Sequence, residues 1–200
     1  APPFAAGKVL VIDPETGTHR FIGDQLAGGY ATITAASNGM LYAPPYTGHR
    51  VLEIDPAAAV VRQVGVDLQT LDGKYEAMAE GGNGCLYAPP GYGAGKVLVF
   101  DPVKRHARLI GSQLRESVWQ YRTIVRASNG RMYAPPFEAS HVLEIDPAAG
   151  TTRLVGDTQP GGTRRKYCCL IAAGNGRLYA PPFEAEAVLE IDPEVGSVSL

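Results

Sequence analysis

The stretch Asn38-Gly39-Met40-Leu41-Tyr42-Ala43-Pro44-Pro45, followed by Val51-Leu52-Glu53-Ile54-Asp55-Pro56, decides the fold because it recurs along the whole chain. The Tyr-Ala-Pro-Pro element returns at 87–90, 133–136 and 179–182, and the chain opens on a shortened copy, Ala1-Pro2-Pro3. The repeat is about 46 residues long. A fixed spacing of this kind is typical of repeat proteins, in which identical units stack on one another.

Turn-forming residues divide each repeat into four segments. Asn-Gly readily supplies the positive φ angles of a two-residue type I′ hairpin, which predicts that strand 30–36 pairs with strand 40–43. A third strand, 51–54, ends at Asp-Pro, where the carboxylate can bond backbone amides in a turn. A hairpin loop with a positive-φ residue then leads to a fourth strand, 60–64. Each repeat therefore predicts four antiparallel strands, here called A, B, C and D.

A single four-stranded sheet of this size cannot bury both of its faces, so neighbouring copies must pack together. Four consecutive strands in a repeat of this length indicate a blade of a β-propeller. The sequence therefore predicts one all-β repeat domain, built from four-stranded antiparallel blades. The expected blade segments are 1–29 (partial, strands B, C and D), 30–74, 75–120, 121–166 and 167–200. Because strand A occurs once less often than B, C and D, we expect an incomplete arc of a longer propeller with roughly six to eight blades.

The order of these elements resembles the NHL-type propeller repeat, in which a turn, an Ile-Tyr-Val-Ala strand and a second strand ending in Phe-Asp follow one another. The acidic residue that commonly follows the Ala of that family is replaced here by Pro-Pro. The sequence is also similar to uncharacterised tandem-repeat proteins of algae and protists with Leu-Tyr, Ala-Pro and Val-Leu-x-Ile-Asp-Pro elements. These resemblances imply a propeller fold and carry no implication of activity.

Composition narrows the classes of function. The net charge of −2 and a charged fraction of 19% do not describe a disordered chain, and the absence of a dominant basic stripe disfavours a nucleic-acid partner. No apolar run approaches the roughly 20 residues that a membrane-spanning helix needs. Cys85, Cys168 and Cys169 lack the spacing of a metal site or a disulfide framework, so we interpret them as structural thiols and leave the cellular compartment open.

Two rings of aromatic residues are candidates for ligand binding, because the D–A and B–C loops of a propeller emerge on one common face. The first ring opens the A strands and the second follows Pro-Pro in the B–C loops. Each ring has a functional interpretation as a contact surface for a ligand. Each also has a structural interpretation, which we favour: the hydroxyls of the first ring bond neighbouring blades, and the second ring packs as wedges between blades. The first ring consists of Tyr30, Tyr75, Tyr121 and Tyr167, and the second of Phe4, Tyr46, Tyr92, Phe137 and Phe183.

The D–A loops differ among copies in length and composition, and such variable loops are where repeat proteins carry function. One of them contains Arg115 and Trp119. Another contains Arg164, Arg165 and Lys166. We expect these residues to contact a partner, the alternative being that both loops are simply solvated.

The repeated acidic residues have structural explanations. We predict that the Asp of each Asp-Pro caps a turn, because successive copies are too far apart to share a calcium ion. The glutamates that recur in the C strands are expected to form cross-strand ion pairs with Arg62, Arg153 or another D-strand residue; they are Glu53, Glu144 and Glu190. The four histidines fall at unrelated repeat positions and offer no ligand set, so neither a metal nor another cofactor is predicted.

The function that these features favour is a non-enzymatic interaction module, a rigid scaffold that presents variable loops to a protein partner or a larger assembly. One alternative is a glycan-binding lectin with one pocket per blade, suggested by the recurring aromatic residues. A second alternative is a metal-dependent hydrolase or lyase. That activity requires Asp, Glu, His or Asn side chains near the start of the A strands, where only Glu76 and Glu80, both in one repeat, come close to this pattern.

Overall fold

The structure, a computed structural model, describes residues 1–68, 74–114, 119–156 and 165–200. All regular structure in these ranges is β, in strands β1 to β18. The described residues contain no helix that is long and apolar enough to cross a membrane.

Four sheets of four antiparallel strands and one sheet of two strands follow one another along the chain, each with its strands in sequential order. The first sheet pairs β1 (Val9–Ile12) with β2 (His19–Ile22). The second contains β3 (Thr34–Ala35), β4 (Leu41–Ala43), β5 (Val51–Asp55) and β6 (Val60–Val64). The third contains β7 (Ala79–Glu80), β8 (Leu86–Ala88), β9 (Val97–Asp101) and β10 (His106–Ile110). The fourth contains β11 (Val125–Arg126), β12 (Met132–Ala134), β13 (Val142–Asp146) and β14 (Thr151–Val155). The fifth contains β15 (Ile171–Ala172), β16 (Leu178–Ala180), β17 (Leu189–Asp192) and β18 (Ser197–Ser199). The fold is that of a β-propeller with four-stranded antiparallel blades, as the repeat predicts.

The partial blade at 1–29 has two strands, C and D, where three were expected. Only Ala1 pairs with the C strand, through its amino group to the Leu10 carbonyl and through its own carbonyl to the Leu10 N–H. Pro2 and Pro3 carry no N–H and cannot extend that ladder, so no B strand forms there.

The A strands are much shorter than expected, since β3 has only two residues where strand 30–36 was predicted. The Tyr30 N–H donates to the Pro3 carbonyl of the preceding blade at 2.9 Å. The hydroxyls of Thr32 and Thr34 donate to carbonyls of the following blade. This segment is therefore bound largely to its neighbouring blades instead of to its own B strand.

The A–B turn also differs from the type I′ turn that Asn-Gly predicts. Gly39 has a φ of +80°, but Asn38 is not in the left-handed region. The Gly39 N–H donates to the Ala36 carbonyl, and the Ala36 N–H donates to the Met40 carbonyl, each at 3.0 Å. These bonds describe a three-residue loop, a type I turn followed by a left-handed glycine. Asn38 acts through its side chain, whose Oδ1 accepts the Met40 N–H at 3.0 Å.

The C–D turns confirm the capping role of the aspartates. Asp55 Oδ1 accepts the N–H groups of Ala57 and Ala58 at 3.0 and 2.9 Å. The same pair of bonds occurs at Asp13, Asp101, Asp146 and Asp192. The position after each turn has a positive φ, whether it holds Gly17, Gly150 or the non-glycine residues Ala59 and Arg105.

The hydrophobic core lies between adjacent sheets, where large side chains of neighbouring blades interlock. Tyr42 and Phe100, for example, come from consecutive blades and pack with their ring centroids 5.4 Å apart in one buried cluster. The outer faces of the two terminal sheets are more exposed. Val142 in the fourth sheet is buried, for instance, whereas Val188 at the same repeat position in the last blade is exposed.

Candidate ligand-binding face

One end of the propeller carries the B–C loops together with the D–A loops. A chain of backbone hydrogen bonds connects them from blade to blade. The N–H of Phe137 donates to the Gln120 carbonyl at 2.9 Å, and the N–H of Lys166 donates to the Phe137 carbonyl at 2.7 Å. Phe183 then donates to the Lys166 carbonyl at 2.8 Å. The backbone of these aromatic positions is thus fixed by the folded blades.

The tyrosines that open the A strands lie beneath this face. All four are buried, and each hydroxyl donates to a backbone carbonyl of its own blade just before the C strand, at 3.0 Å. Burial raises the pKa values of Tyr30, Tyr75 and Tyr167. Each hydroxyl therefore connects the A and C segments of its own blade, and does not bond a neighbouring blade as the structural interpretation of the sequence expected. The four residues are Tyr30, Tyr75, Tyr121 and Tyr167.

The aromatic residues of the B–C loops reach the surface to different extents. Phe4 and Tyr92 are exposed and Tyr46 is half-buried. Phe183 is 56% exposed, whereas Phe137 at the same repeat position is only 4% exposed. Members of one ring thus occupy different environments.

Trp119, from a D–A loop, inserts between members of this ring. Its ring centroid lies 5.2 Å from that of Tyr92 and 6.3 Å from that of Tyr46. Tyr46 in turn contacts Phe4 at 5.2 Å. Phe137 and Phe183 form a second contact, at 6.3 Å. We call the six residues Phe4, Tyr46, Tyr92, Trp119, Phe137 and Phe183 the aromatic rim.

A cavity of about 280 Å³ separates the two parts of the aromatic rim. Trp119, Phe137 and Phe183 supply its aromatic walls, and Arg122 and Arg165 supply its charged groups. The Arg122 guanidinium lies 4.8 Å from the Phe137 ring centroid. We call this cavity the rim pocket.

Arg122 is held by Glu76 of the neighbouring blade. Its Nε lies 2.8 and 2.9 Å from the two carboxylate oxygens of Glu76, and this bonding raises the pKa of the guanidinium. Sequence reasoning considered Glu76 only for catalysis and missed Arg122. A signal was available: the two residues directly follow Tyr75 and Tyr121, so consecutive repeats carry opposite charges at one position.

The residues that the sequence predicted as partner contacts in the variable D–A loops fall into three groups. Trp119 and Arg165 line the rim pocket. Lys166 is buried, and its ammonium group donates to the Ala139 carbonyl at 2.7 Å. Arg115 and Arg164 lie outside the described residues.

The opposite end of the blades carries ion pairs. Glu144, which is buried, accepts bonds from Arg153 on the paired strand at 2.7 and 2.8 Å and from Arg131 at 2.9 Å. Glu53 lies 3.5 Å from Arg62 on its paired strand, so two of the three predicted cross-strand pairs are present. Glu190 lies opposite Ser199 and pairs instead with Arg177, which precedes the B strand, so that part of the prediction is wrong. A second cavity, of about 200 Å³, lies beside the Glu144 group. Over the described ranges, no three His, Cys, Asp or Glu side chains converge in a geometry that could hold a metal ion.

Solved structures of low sequence identity share this fold. Virginiamycin B lyase from Staphylococcus aureus matches with a TM-score of 0.80 and 12% identity, over 98% of this chain and 63% of that chain. A streptogramin B lyase matches with a TM-score of 0.77 and 14% identity, over 98% and 62% of the two chains. The extracellular domain of the one-component system BT4673 from B. thetaiotaomicron matches with a TM-score of 0.68 and 15% identity, over 97% and 28%.

These neighbours are β-propeller proteins, and the likeness establishes the fold alone. The chain spans less than two thirds of the length of each of them. Neither a protein-family profile nor a curated protein sequence matches the chain.

Proposed function

We propose that this chain is a non-enzymatic interaction module that binds an extended segment of a protein partner across the aromatic rim. The observation that carries the proposal is the placement of exposed aromatic rings on the one end where the B–C and D–A loops meet. Aromatic residues and arginine are the residue types most enriched at protein interfaces and at their energetic hot spots.

Rigidity supports the same proposal. The backbone of Phe137 is bonded on both sides, as donor to the Gln120 carbonyl and as acceptor from the Lys166 N–H. Pro-Pro precedes the rim position in four of the B–C loops and in the opening copy, which restricts the backbone further. A surface that is already ordered loses little conformational entropy on binding, so more of the contact energy appears as affinity.

We further propose that the repeat is of the NHL type and that the blades form an arc of a longer propeller. Repeated order of turn, Leu-Tyr-Ala strand and Ile-Asp strand supports the first point. The exposed faces of the terminal sheets support the second, because the same positions are covered within the arc. A scaffold role needs no catalytic group, and Asp55, Glu144 and Glu76 have structural partners in a turn cap and in ion pairs.

The proposal can be tested by selecting binders from a random linear peptide library on the immobilised chain, with a glycan array in parallel. We expect enriched peptides whose binding weakens by about tenfold or more in Trp119→Ala, because one buried aromatic contact at a hot spot is worth at least that much. Val103→Ala is the matched control. Val103 is an apolar side chain that is 92% exposed in a C–D turn at the opposite end of the blades.

Two results would contradict the proposal. Peptides that bind Trp119→Ala as well as the unsubstituted chain would place the contact elsewhere. Saturable glycan binding without peptide enrichment would favour the lectin, one of the two alternatives.

A further inference from the structure

Arg165 enters the rim pocket from a strained backbone. Its φ is +62°, in the left-handed region that costs free energy for a residue with a Cβ. The Arg165 carbonyl accepts the Glu184 N–H at 3.1 Å, which fixes this conformation against the neighbouring B–C loop. Among the described residues, the other non-glycine positions with a positive φ, Ala59 and Arg105, lie in C–D turns, whereas Arg165 lies at the rim pocket.

The two arginines of the rim pocket differ in how firmly they are paired. Arg122 is engaged by Glu76 through close bonds to both carboxylate oxygens. Arg165 is 59% exposed and lies 3.8 Å from Glu184, itself 47% exposed, and a solvated pair at this separation is weak. The Arg165 guanidinium can therefore bind an anion at a lower cost in free energy than the Arg122 guanidinium, because it gives up a weaker ion pair.

The aromatic walls of the rim pocket favour a particular chemical group attached to that anion. Trp119, Phe137 and Phe183 offer aromatic surface on several sides of a cavity of about 280 Å³. This volume is near the lower end, roughly 300 Å³, of the range for small-ligand sites, so the cavity suits one aromatic group with its attached carboxylate. Acidic side chains near the pocket also limit the number of negative charges that a ligand can carry. Glu76 and Glu184 stand beside the two arginines, so a ligand with one negative charge meets less repulsion than a doubly charged phosphate.

We infer that the rim pocket recognises a carboxylate attached to an aromatic group, with Arg165 binding the carboxylate and Trp119 and Phe183 enclosing the ring. This inference rests on the proposed function and specifies its ligand: a partner segment with an aromatic residue next to a carboxylate. The carboxylate can belong to the chain terminus or to an acidic side chain.

Trp119 makes the test direct, because it is the only tryptophan of the chain and stands in the pocket wall. We would follow its fluorescence during titration with N-acetylphenylalanine, with the amide of the same compound, and with N-acetyl-Phe-Glu-amide. We expect saturable binding of at least one acid, and about tenfold weaker binding of the uncharged amide, because a hydrogen bond to a charged group is lost. The first acid carries the carboxylate of a chain terminus and the second that of a side chain, so their ranking identifies the source.

Arg165→Gly is the informative variant, because glycine adopts the left-handed conformation without strain and the fold is kept. In this variant, the acid is expected to bind no better than the amide. Lys104→Ala, which removes an exposed charge from a C–D turn at the opposite end, should leave the preference unchanged.

The inference would be overturned by equal affinity for acid and amide, by a preference for the acid that survives in Arg165→Gly, or by tighter binding of adenosine monophosphate. A lack of saturable change with every probe would overturn it too. Enriched library peptides that show no need for a carboxylate would refute this inference and leave the proposed function intact. Binding of the acids without any enriched peptide would refute the proposed function instead.

Discussion

Asn129, in the A–B turn of one blade, donates a 2.8 Å hydrogen bond from its side-chain amide to the carbonyl oxygen of Pro193, in the C–D turn of the next blade. Asn83 and Pro147 form the same bond at 2.9 Å. The Asn-Gly and Asp-Pro elements, which are far apart within a repeat, therefore meet across a blade boundary. The two elements recur together because they form this contact between blades as well as their own turns.

Removing this bond should cost more than removing a turn cap alone. Asn129→Ala loses the bond to Pro193 and also the bonds to the Tyr133 hydroxyl and the Arg131 N–H. We expect the free energy of unfolding to fall by about 1–3 kcal/mol, because a partly buried carbonyl is left unpaired. In the described part of the chain, Asn38 bonds only to Tyr42 and Met40 of its own blade, so Asn38→Ala should cost measurably less in chemical denaturation. Equal costs would show that the contact between blades contributes nothing.

A substitution at the positive-φ position of a C–D turn should stabilise the fold. Ala59 has a φ of +56°, which strains a residue with a Cβ. Ala59→Gly should raise the free energy of unfolding by about 0.5–1 kcal/mol, since relief of strain exceeds the added entropy of the unfolded chain. A lower midpoint of chemical denaturation would contradict this.

Arg105→Gly, at the equivalent position, should have the opposite sign even though its φ is also positive, at +49°. Arg105 donates to both oxygens of the buried Glu53 carboxylate in the preceding blade, at 2.9 and 3.2 Å. Loss of these charged hydrogen bonds outweighs the relief of strain, and we expect a net loss of about 1–2 kcal/mol in the same denaturation experiment. Arg105→Lys should recover part of it. A gain in stability for Arg105→Gly would mean that Arg62 and the Tyr42 hydroxyl are sufficient partners for Glu53.

Features that depend on residues close together in the chain were predicted from the sequence more accurately than features that depend on contacts between blades. The C strands and the Asp55 caps depend on residues within one hairpin, and the sequence predicted them to within a residue or so at each end. The A strands came out too long, because the backbone at Tyr30 bonds to the preceding blade, which no pattern within a repeat reveals. The Asn38-Gly39 turn was assigned the wrong type, since both types place glycine in the left-handed region.

The rim pocket was only partly predictable for a similar reason. Trp119 and Arg165 stood out because they interrupt the repeat, but the pocket also needs Arg122 and two B–C loop positions. These residues come from three consecutive blade segments, and only the packing between blades brings them to one place. Sequence periodicity states that Phe137 and Phe183 are equivalent, whereas their exposure differs greatly.

Buried tyrosines should make the fold sensitive to alkali. Burial raises the pKa of Tyr75, whose hydroxyl donates to the Lys96 carbonyl at 3.0 Å. The neutral phenol is therefore favoured in the folded state, so its contribution is complete below the unfolded pKa, about 10, and is lost as the pH rises above it. Tyr75→Phe should be less stable by about 1 kcal/mol at neutral pH, through the lost hydrogen bond. The difference should shrink as the pH exceeds 10, in denaturation curves measured across the alkaline range. Parallel curves for both proteins would refute the coupling.

Phe137 and Phe183 share a repeat position, yet their substitutions should report different things. Phe137 is 4% exposed and packs beneath the Arg122 guanidinium, so Phe137→Ala should lower the free energy of unfolding by about 3 kcal/mol, as for other large-to-small changes in a core. Phe183 is 56% exposed, and Phe183→Ala should change stability by less than about 0.5 kcal/mol. The same substitution should weaken the binding of N-acetylphenylalanine, because it removes one wall of the rim pocket. Stability is to be measured by chemical denaturation and binding by Trp119 fluorescence on the same samples. If Phe183→Ala destabilised the fold as strongly as Phe137→Ala while binding was retained, the aromatic ring would be a packing device, and the rim would have no role in recognition.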